Sequence, residues 1–255
     1  MGTARAMIAE GSSQPQNTDS AAGWLAVAVG NSRILWGQYT GDKLREWGRL
    51  DIASNVEFER YLRAACDRIC LASIGDVTAA LTLWPALSCA RQLDLNDVPL
   101  ANTYATLGLD RALAVVGAAR KQGWPVLVVD GGTALTLTAA DELGAFAGGA
   151  IAPGLRLQGQ SLFASTAALP TVREDVLTAW PIPRWACETE AAIQSGIIYG
   201  AIATIRAFCQ DWRFRYPDGS IVFTGGDGEF LHYVADIPHS NVEPTLVLQG
   251  MAACR

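Results

Sequence analysis

The sequence predicts an α/β protein of two duplicated domains facing each other across a cleft, and three observations predict it. Strands come first and helices after, twice along the chain. Two strand meanders repeat one another: aligning their turns at an offset of 102 residues sets Val27-Ala28-Val29-Gly30-Asn31 against Val129-Asp130-Gly131-Gly132-Thr133. A repeat of that length means duplicated domains and not a solenoid. Finally, three glycine turns, at Gly30, Gly131-Gly132 and Gly225-Gly226, each follow an apolar strand.

Bulk properties bound the function. The chain has 255 residues, half of them apolar and 17% charged, enough for one large core or two packed domains. A net charge of -6 and the lack of any Lys/Arg block exclude a nucleic-acid or anionic-membrane surface, which leaves small molecules as partners. The six cysteines (Cys66, Cys70, Cys89, Cys187, Cys209, Cys254) form no CxxC pair and read as reduced, mostly buried thiols. With only His232 and His239 available, neither a catalytic triad nor a His-rich metal site is expected. Residues 1–22, rich in Ser, Gln, Ala and Gly, read as a disordered tail without the apolar core of a signal peptide. No apolar run approaches the roughly 20 residues of a membrane span, so a cytoplasmic location is expected.

Taken in order, the first domain (23–122) opens at Trp24 with a strand meander broken at Gly30-Asn31 and Thr40-Gly41-Asp42. From Asn55 to Arg68 apolar residues recur at helical spacing behind Ser54 as N-cap, and ICLASIG is a short buried strand. A stretch mixing a short helix with turns follows. Then GLDRALAVVGAARKQGW reads as a helix starting near Asp110 and stopping at Gly123. The second domain (123–255) starts with the VLVV strand and TALTLTAA. GGAIAPG reads as a turn, Leu155 to Ser165 as a helix, Leu169 to Ala186 as a Pro-punctuated loop, and Thr189 to Trp212 as a long helix. SIVFTGGDGEFLHYVA reads as strand, double-glycine turn and helix.

Glycine turns after strands present backbone N–H groups with no Cβ in the way, which suits phosphate binding from two facing domains. The third turn, followed by a helix N-terminus, suits a nucleotide's ribose, base or α-phosphate. Any one alone equally reads as a hairpin, and GGDG fails the dinucleotide fingerprint because Leu231 stands where its last glycine belongs. Three in order, two of them forming a repeat, favour a nucleotide cleft.

The motifs GLDR (108–111), DGGTALT (130–136), GGAIAPGL (148–155), LFASTAALP (162–170), TEAAIQSGIIYG (189–200) and TGGDGEFL (224–231) resemble those of type III pantothenate kinases. These enzymes are a branch of the actin-like acetate and sugar kinase superfamily. The resemblance covers nearly everything from Trp24 onward. It implies two ribonuclease-H-like (actin-like kinase) domains across a nucleotide cleft, and transfer of the ATP γ-phosphate to the hydroxyl of pantothenate, the first step of coenzyme A synthesis. It also implies Mg²⁺ with ATP, a monovalent cation (K⁺ or NH₄⁺) and a homodimer.

Residue by residue, the resemblance makes Asp110 the general base, placed where a helix dipole keeps a carboxylate ionised. Gly108, Leu109, Arg111, Thr189 and, more weakly, Tyr104 become substrate contacts. Gly30, Asn31, Ser32 and Arg33 become the first phosphate loop, and Gly132, Thr133, Gly225 and Gly226 further ATP contacts. Asp130 becomes the monovalent-cation ligand. Read without the family, Asp110 is a helix-terminal charge, Asp130 a turn residue, and Thr189 ahead of Glu190 a helix cap.

One position departs from the pattern. Family members carry an aspartate two residues before the Gly-Asn, and here that residue is Ala28, opposite Asp130 in the internal repeat; the usual following Thr is Ser32. This departure motivates an alternative: a weak or inactive family member that binds ligands as an accessory protein.

Overall fold

The computed structural model describes residues 23–31, 33–51, 57–65 and 68–255. The expected tail at 1–22, Ser32 of the first loop, the N-cap Ser54 and Cys66 lie outside the described residues. The chain divides into two compact units. Unit 1 holds the residues up to Pro99, Ala105–Gly117 and Val247–Arg255; unit 2 holds Leu100–Tyr104 and Ala118–Leu246.

Unit 1 begins with β1 (Gly23–Val29), β2 (Arg33–Thr40) and β3 (Lys43–Asp51), an antiparallel meander. α1 (Glu57–Ala65) leads to β4 (Ile69–Ser73), which lies parallel to β1. After α2 (Thr78–Leu83) and a 3-10 turn, the short β5 (Arg91–Leu93) adds parallel to β4, giving the order β3-β2-β1-β4-β5. β1 is central and nearly all of it is buried, the burial expected of a strand covered on both faces. Leu25, Val27, Val29, Ile34 and Trp36 pack with Phe58 and Leu62 of α1 and with Ile69 and Leu71 of β4. Burying each such side chain contributes roughly 1.5–3 kcal/mol.

α3 (Leu109–Gln122) starts in unit 1, and Gly123, at φ +80°, ends it in the left-handed conformation that glycine adopts without strain. Unit 2 then repeats the first topology. β6 (Val126–Gly131), β7 (Ala134–Ala140) and β8 (Phe146–Pro153) form the meander. α4 (Leu155–Ser165), the one-turn α5 (Glu174–Leu177) and α6 (Thr189–Arg215) follow. β9 (Ser220–Thr224) lies parallel to β6; after α7 (Gly228–Ala235), β10 (Ser240–Val242) lies parallel to β9, giving β10-β9-β6-β7-β8. Finally α8 (Leu246–Ala253) carries the chain back into unit 1.

Two expectations are corrected. GGAIAPG is not a turn but most of strand β8, an edge strand held to β7 along its length, so pairing overrides the low strand propensity of its glycines. The loop from Leu169 to Ala186 contains α5, which Gln194 of α6 holds by donating from Nε2 to the Val176 carbonyl. α6 is also long and apolar enough to cross a membrane by length and composition, although the sequence suggested no such run. Its apolar stripe is consumed by the unit 2 core, where Ile193, Ile197, Ile205 and Trp212 pack on β6, β7 and β9.

Candidate functional site

In unit 2 the site grows from the end of β6. Asp130 pairs with Thr136 on β7 and with the buried Thr224 on β9, so its position is fixed from both sides. The turn that follows closes through Gly132 N–H to the Ala134 carbonyl (3.1 Å), and Gly154 N–H donates to the Thr133 carbonyl (3.0 Å). Asp227 N–H donates to the Gly131 carbonyl (2.8 Å), tying the loop after β9 to the same turn.

The glycines here are required by close approach. A Cβ on Gly225, whose φ is +92°, would stand 2.6 Å from the Gly131 carbonyl oxygen and closer still to Asp130 Oδ1. A Cβ on Gly131 would meet Leu231 Cδ1 at 2.7 Å, and one on Gly154 would meet the Thr133 oxygen at 2.6 Å. Asp130, Gly132, Thr133, Gly225 and Gly226 are therefore brought together, with α7 beginning beside them. Gly131 and Gly154 complete the cradle. Sequence reasoning placed Gly131 in a phosphate-binding turn and quoted Gly154 only inside a motif, because the task that both share, leaving room for residues distant in sequence, is set by the fold.

In unit 1 the corresponding turn closes through Gly30 N–H to the Arg33 carbonyl (2.9 Å), with Asn31 and Arg33 exposed. The loop after β4 is bound to it: Ile74 and Gly75 N–H both donate to the Val29 carbonyl (2.9 and 3.1 Å). A Cβ on Gly75 would stand 2.5 Å from Asn31 Oδ1. Ala28 is buried, pairing with Leu35 and Ala72.

The GLDR segment forms the start of α3. Asp110 Oδ1 accepts the Arg111 N–H (2.8 Å), and a Cβ on Gly108 would stand 2.6 Å from that same oxygen, so the glycine leaves space for the carboxylate. Burial pushes the Asp110 carboxyl above the ordinary aspartate range, against the opposing N–H bond and charge of Arg111. The helix terminus, expected to hold the carboxylate firmly ionised, is thus outweighed by desolvation. Leu109 opens α3 half-buried, and Arg111 is buried.

The remaining candidates lie in unit 2. Tyr104 is 44% exposed and packs edge-on against Phe146 of β8 (ring centroids 5.5 Å apart). Thr189 is exposed as the first residue of α6, whose N-cap is Glu188. Among the described residues no group of three His, Cys, Asp or Glu side chains could hold a metal ion by itself. The residues do fit a cation arriving with a nucleotide, since Mg²⁺ needs only one or two carboxylates plus phosphate oxygens and waters. Asp130 in its glycine cradle offers such a carboxylate.

The profile of the type III pantothenate kinase family matches residues 24–211. A type III pantothenate kinase of Synechococcus sp. (strain JA-2-3B'a(2-13)) is 43% identical over 234 residues, covering 91% of this chain and 88% of its own. One of Gloeobacter violaceus is 47% identical over 209 residues, covering 82% and 88%. Among solved structures, a Campylobacter jejuni protein described as a Baf family transcriptional activator superposes with a TM-score of 0.59 at 21% identity, covering 90% of this chain and 96% of its own. A Sinorhizobium meliloti protein described as a 2-dehydro-3-deoxygalactonokinase superposes with a TM-score of 0.52 at 14% identity, covering 91% and 95%. These two support the two-unit α/β fold alone. On the family match and the identity of its relatives, this chain belongs to the type III pantothenate kinase family.

Proposed function

We propose that this chain transfers the γ-phosphate of ATP to the primary hydroxyl of pantothenate, giving 4'-phosphopantothenate, the first step of coenzyme A biosynthesis. The observation that carries the proposal is the family match across residues 24–211, with GLDR inside it at 108–111. The alternative of a ligand-binding protein without turnover finds no support among the relatives.

In this reading Asp110 takes the proton from the pantothenate hydroxyl. A carboxylate with a raised pKa is a stronger base, which favours proton transfer as the oxygen attacks. By the family resemblance Gly108, Leu109, Arg111, Tyr104 and Thr189 each contact the substrate, Arg111 offering a planar fork to an anionic or carbonyl oxygen. By the same resemblance Gly30, Asn31, Ser32 and Arg33 form a phosphate loop, and Gly132, Thr133, Gly225 and Gly226 are further ATP contacts. Asp130 would help hold Mg²⁺ carried in with ATP, whose chemistry there would be to neutralise charge on the phosphates. Asp130 also receives a monovalent cation, K⁺ or NH₄⁺, and the enzyme works as a cytoplasmic homodimer.

Purified protein incubated with ATP, Mg²⁺, K⁺ or NH₄⁺ and pantothenate yields phosphopantothenate, detected by mass spectrometry. Folded protein that forms none overturns the proposal. Replacing K⁺ and NH₄⁺ with Na⁺ tests the cation, and light scattering on the eluted protein tests the dimer.

A further inference from the structure

α6 has two faces of different character. One is spent inside unit 2, where Ile193, Ile197, Ile205 and Trp212 pack into the core. On the opposite side Gly196, Gly200, Ala203 and Ala207 follow at intervals of four, three and four residues, so they share one stripe, and all four are exposed. Both glycines sit in the helix interior, where glycine is a poor helix former. Gly131, Gly154 and Gly225 each admit a close neighbour where their Cβ is missing, whereas a Cβ on Gly196 or Gly200 would meet nothing within 4 Å. Among the described residues nothing uses the room that these two glycines leave.

The ends of the same helix are oppositely charged. Glu188 and Glu190 stand exposed at its start, and Arg213 and Arg215 lie in its last turn. Arg213 donates to the carbonyls of Pro238 and His239 (3.1 and 2.9 Å) and Arg215 meets Asp211 (2.9 Å), which holds both guanidinium groups at the helix end. The 27 residues span about 40 Å. A second α6 laid antiparallel across the first, midway between Gly200 and Ala203, sets Gly196 against Ala207 and Gly200 against Ala203, because each pair is equally far from the crossing point. The same operation carries Glu188 and Glu190 of each copy to the level of the other's Arg213 and Arg215. A parallel copy would bring like charges together instead. Glycine and alanine at the crossing let two helices approach to the short end of the usual spacing of about 8–10 Å, and the end charges select the antiparallel direction.

We infer that the stripe of Gly196, Gly200, Ala203 and Ala207 is the twofold face on which a second copy of this chain docks, α6 against α6 and antiparallel. This rests on reading the protein as a homodimer and names the face that makes the dimer. Such a contact uses the same patch on both copies, so it closes at two chains.

Light scattering of the full chain over a dilution series tests it. Wild type has the mass of two chains. Ala203→Arg puts an unpartnered charge at the crossing and raises the dissociation constant at least about 10²-fold; Ala207→Glu does the same independently. Both positions are exposed in the single chain, so circular dichroism of the separated copies retains the helix content. Glu190→Arg and Arg215→Glu each weaken association several-fold, and the two together restore it. Leu143→Arg, at a residue 85% exposed between β7 and β8, leaves the mass at two chains. A dimer that persists in both Ala203→Arg and Ala207→Glu overturns the inference and leaves the homodimer standing. Equal loss in Leu143→Arg, or a Glu190→Arg/Arg215→Glu variant no tighter than the single ones, also overturns it. Wild type that runs as one chain overturns the homodimer and this face together.

Discussion

The Asp130 carboxylate fills the space in which a Cβ on Gly225 would stand, and Gly225 itself sits at φ +92°. Two residues 95 positions apart thus define one another: the acid at the end of β6 is possible because the loop after β9 offers backbone alone. Gly225→Ala combines left-handed strain with this collision and is expected to cost on the order of 1–3 kcal/mol of stability. Asp130→Ala added to it restores part of that loss, a non-additivity that denaturant titration of the four proteins measures. Strict additivity would show that the two do not share the space.

Gly154→Ala meets the carbonyls of Gly132 and Thr133 although its own φ of -66° suits any residue. The expected cost is about 1–3 kcal/mol from overpacking, with nucleotide binding weakened because the displaced atoms belong to the turn. Thermal melting with and without ADP separates the two effects.

Asp110→Asn keeps the side-chain oxygen that accepts the Arg111 N–H but removes the proposed base. The rate of phosphopantothenate formation should fall about 10²- to 10⁴-fold in a folded protein. The sign of the pH dependence follows from the raised pKa of Asp110: the protonated form cannot accept the substrate proton. Wild-type activity is lost on acidification through an apparent pKa above the roughly 3.9 of an ordinary aspartate, and the Asn variant lacks that limb.

Gly250→Ala tests the closure of unit 1. A Cβ there would stand 2.6 Å from the Leu113 carbonyl carbon and closer still to its oxygen, so α8 crosses α3 with no room for a methyl group. Because α3 also carries Asp110, the variant should lose about 1–3 kcal/mol of stability and lower kcat together. Unfolding curves alongside kinetics check both.

Thiol labelling should divide the cysteines. Burial pushes the Cys70 thiol up to about 11 and the Cys209 thiol up to about 12, so both stay protonated and unreactive toward a mild electrophile at pH 8. Cys89 and Cys187 are exposed and label first, as peptide mass mapping would show.

Much of this molecule was legible from the sequence because its signals are local. The strand meanders and the bounds of α3 and α4 follow from apolar periodicity and from Gly123 as a stop. The internal repeat placed Ala28 opposite Asp130, and the paired registers of β1 with β4 and β6 with β9 give both the same setting. GGAIAPG failed as a reading because glycine marks turns in isolation, whereas ladder pairing to β7 made it a strand.

The sequence by itself determined the order of elements, the glycine turns that follow β1, β6 and β9, and the adjacency of Gly108 to Asp110, since each is set within a few residues by backbone freedom and periodicity. Only the tertiary structure decided that Gly154 closes onto the Gly132-Thr133 turn, that α8 returns to α3, and that Gly225 leaves room for the Asp130 carboxylate. Those relationships depend on which atoms a register brings within a van der Waals radius, and register is fixed by pairing between segments far apart along the chain.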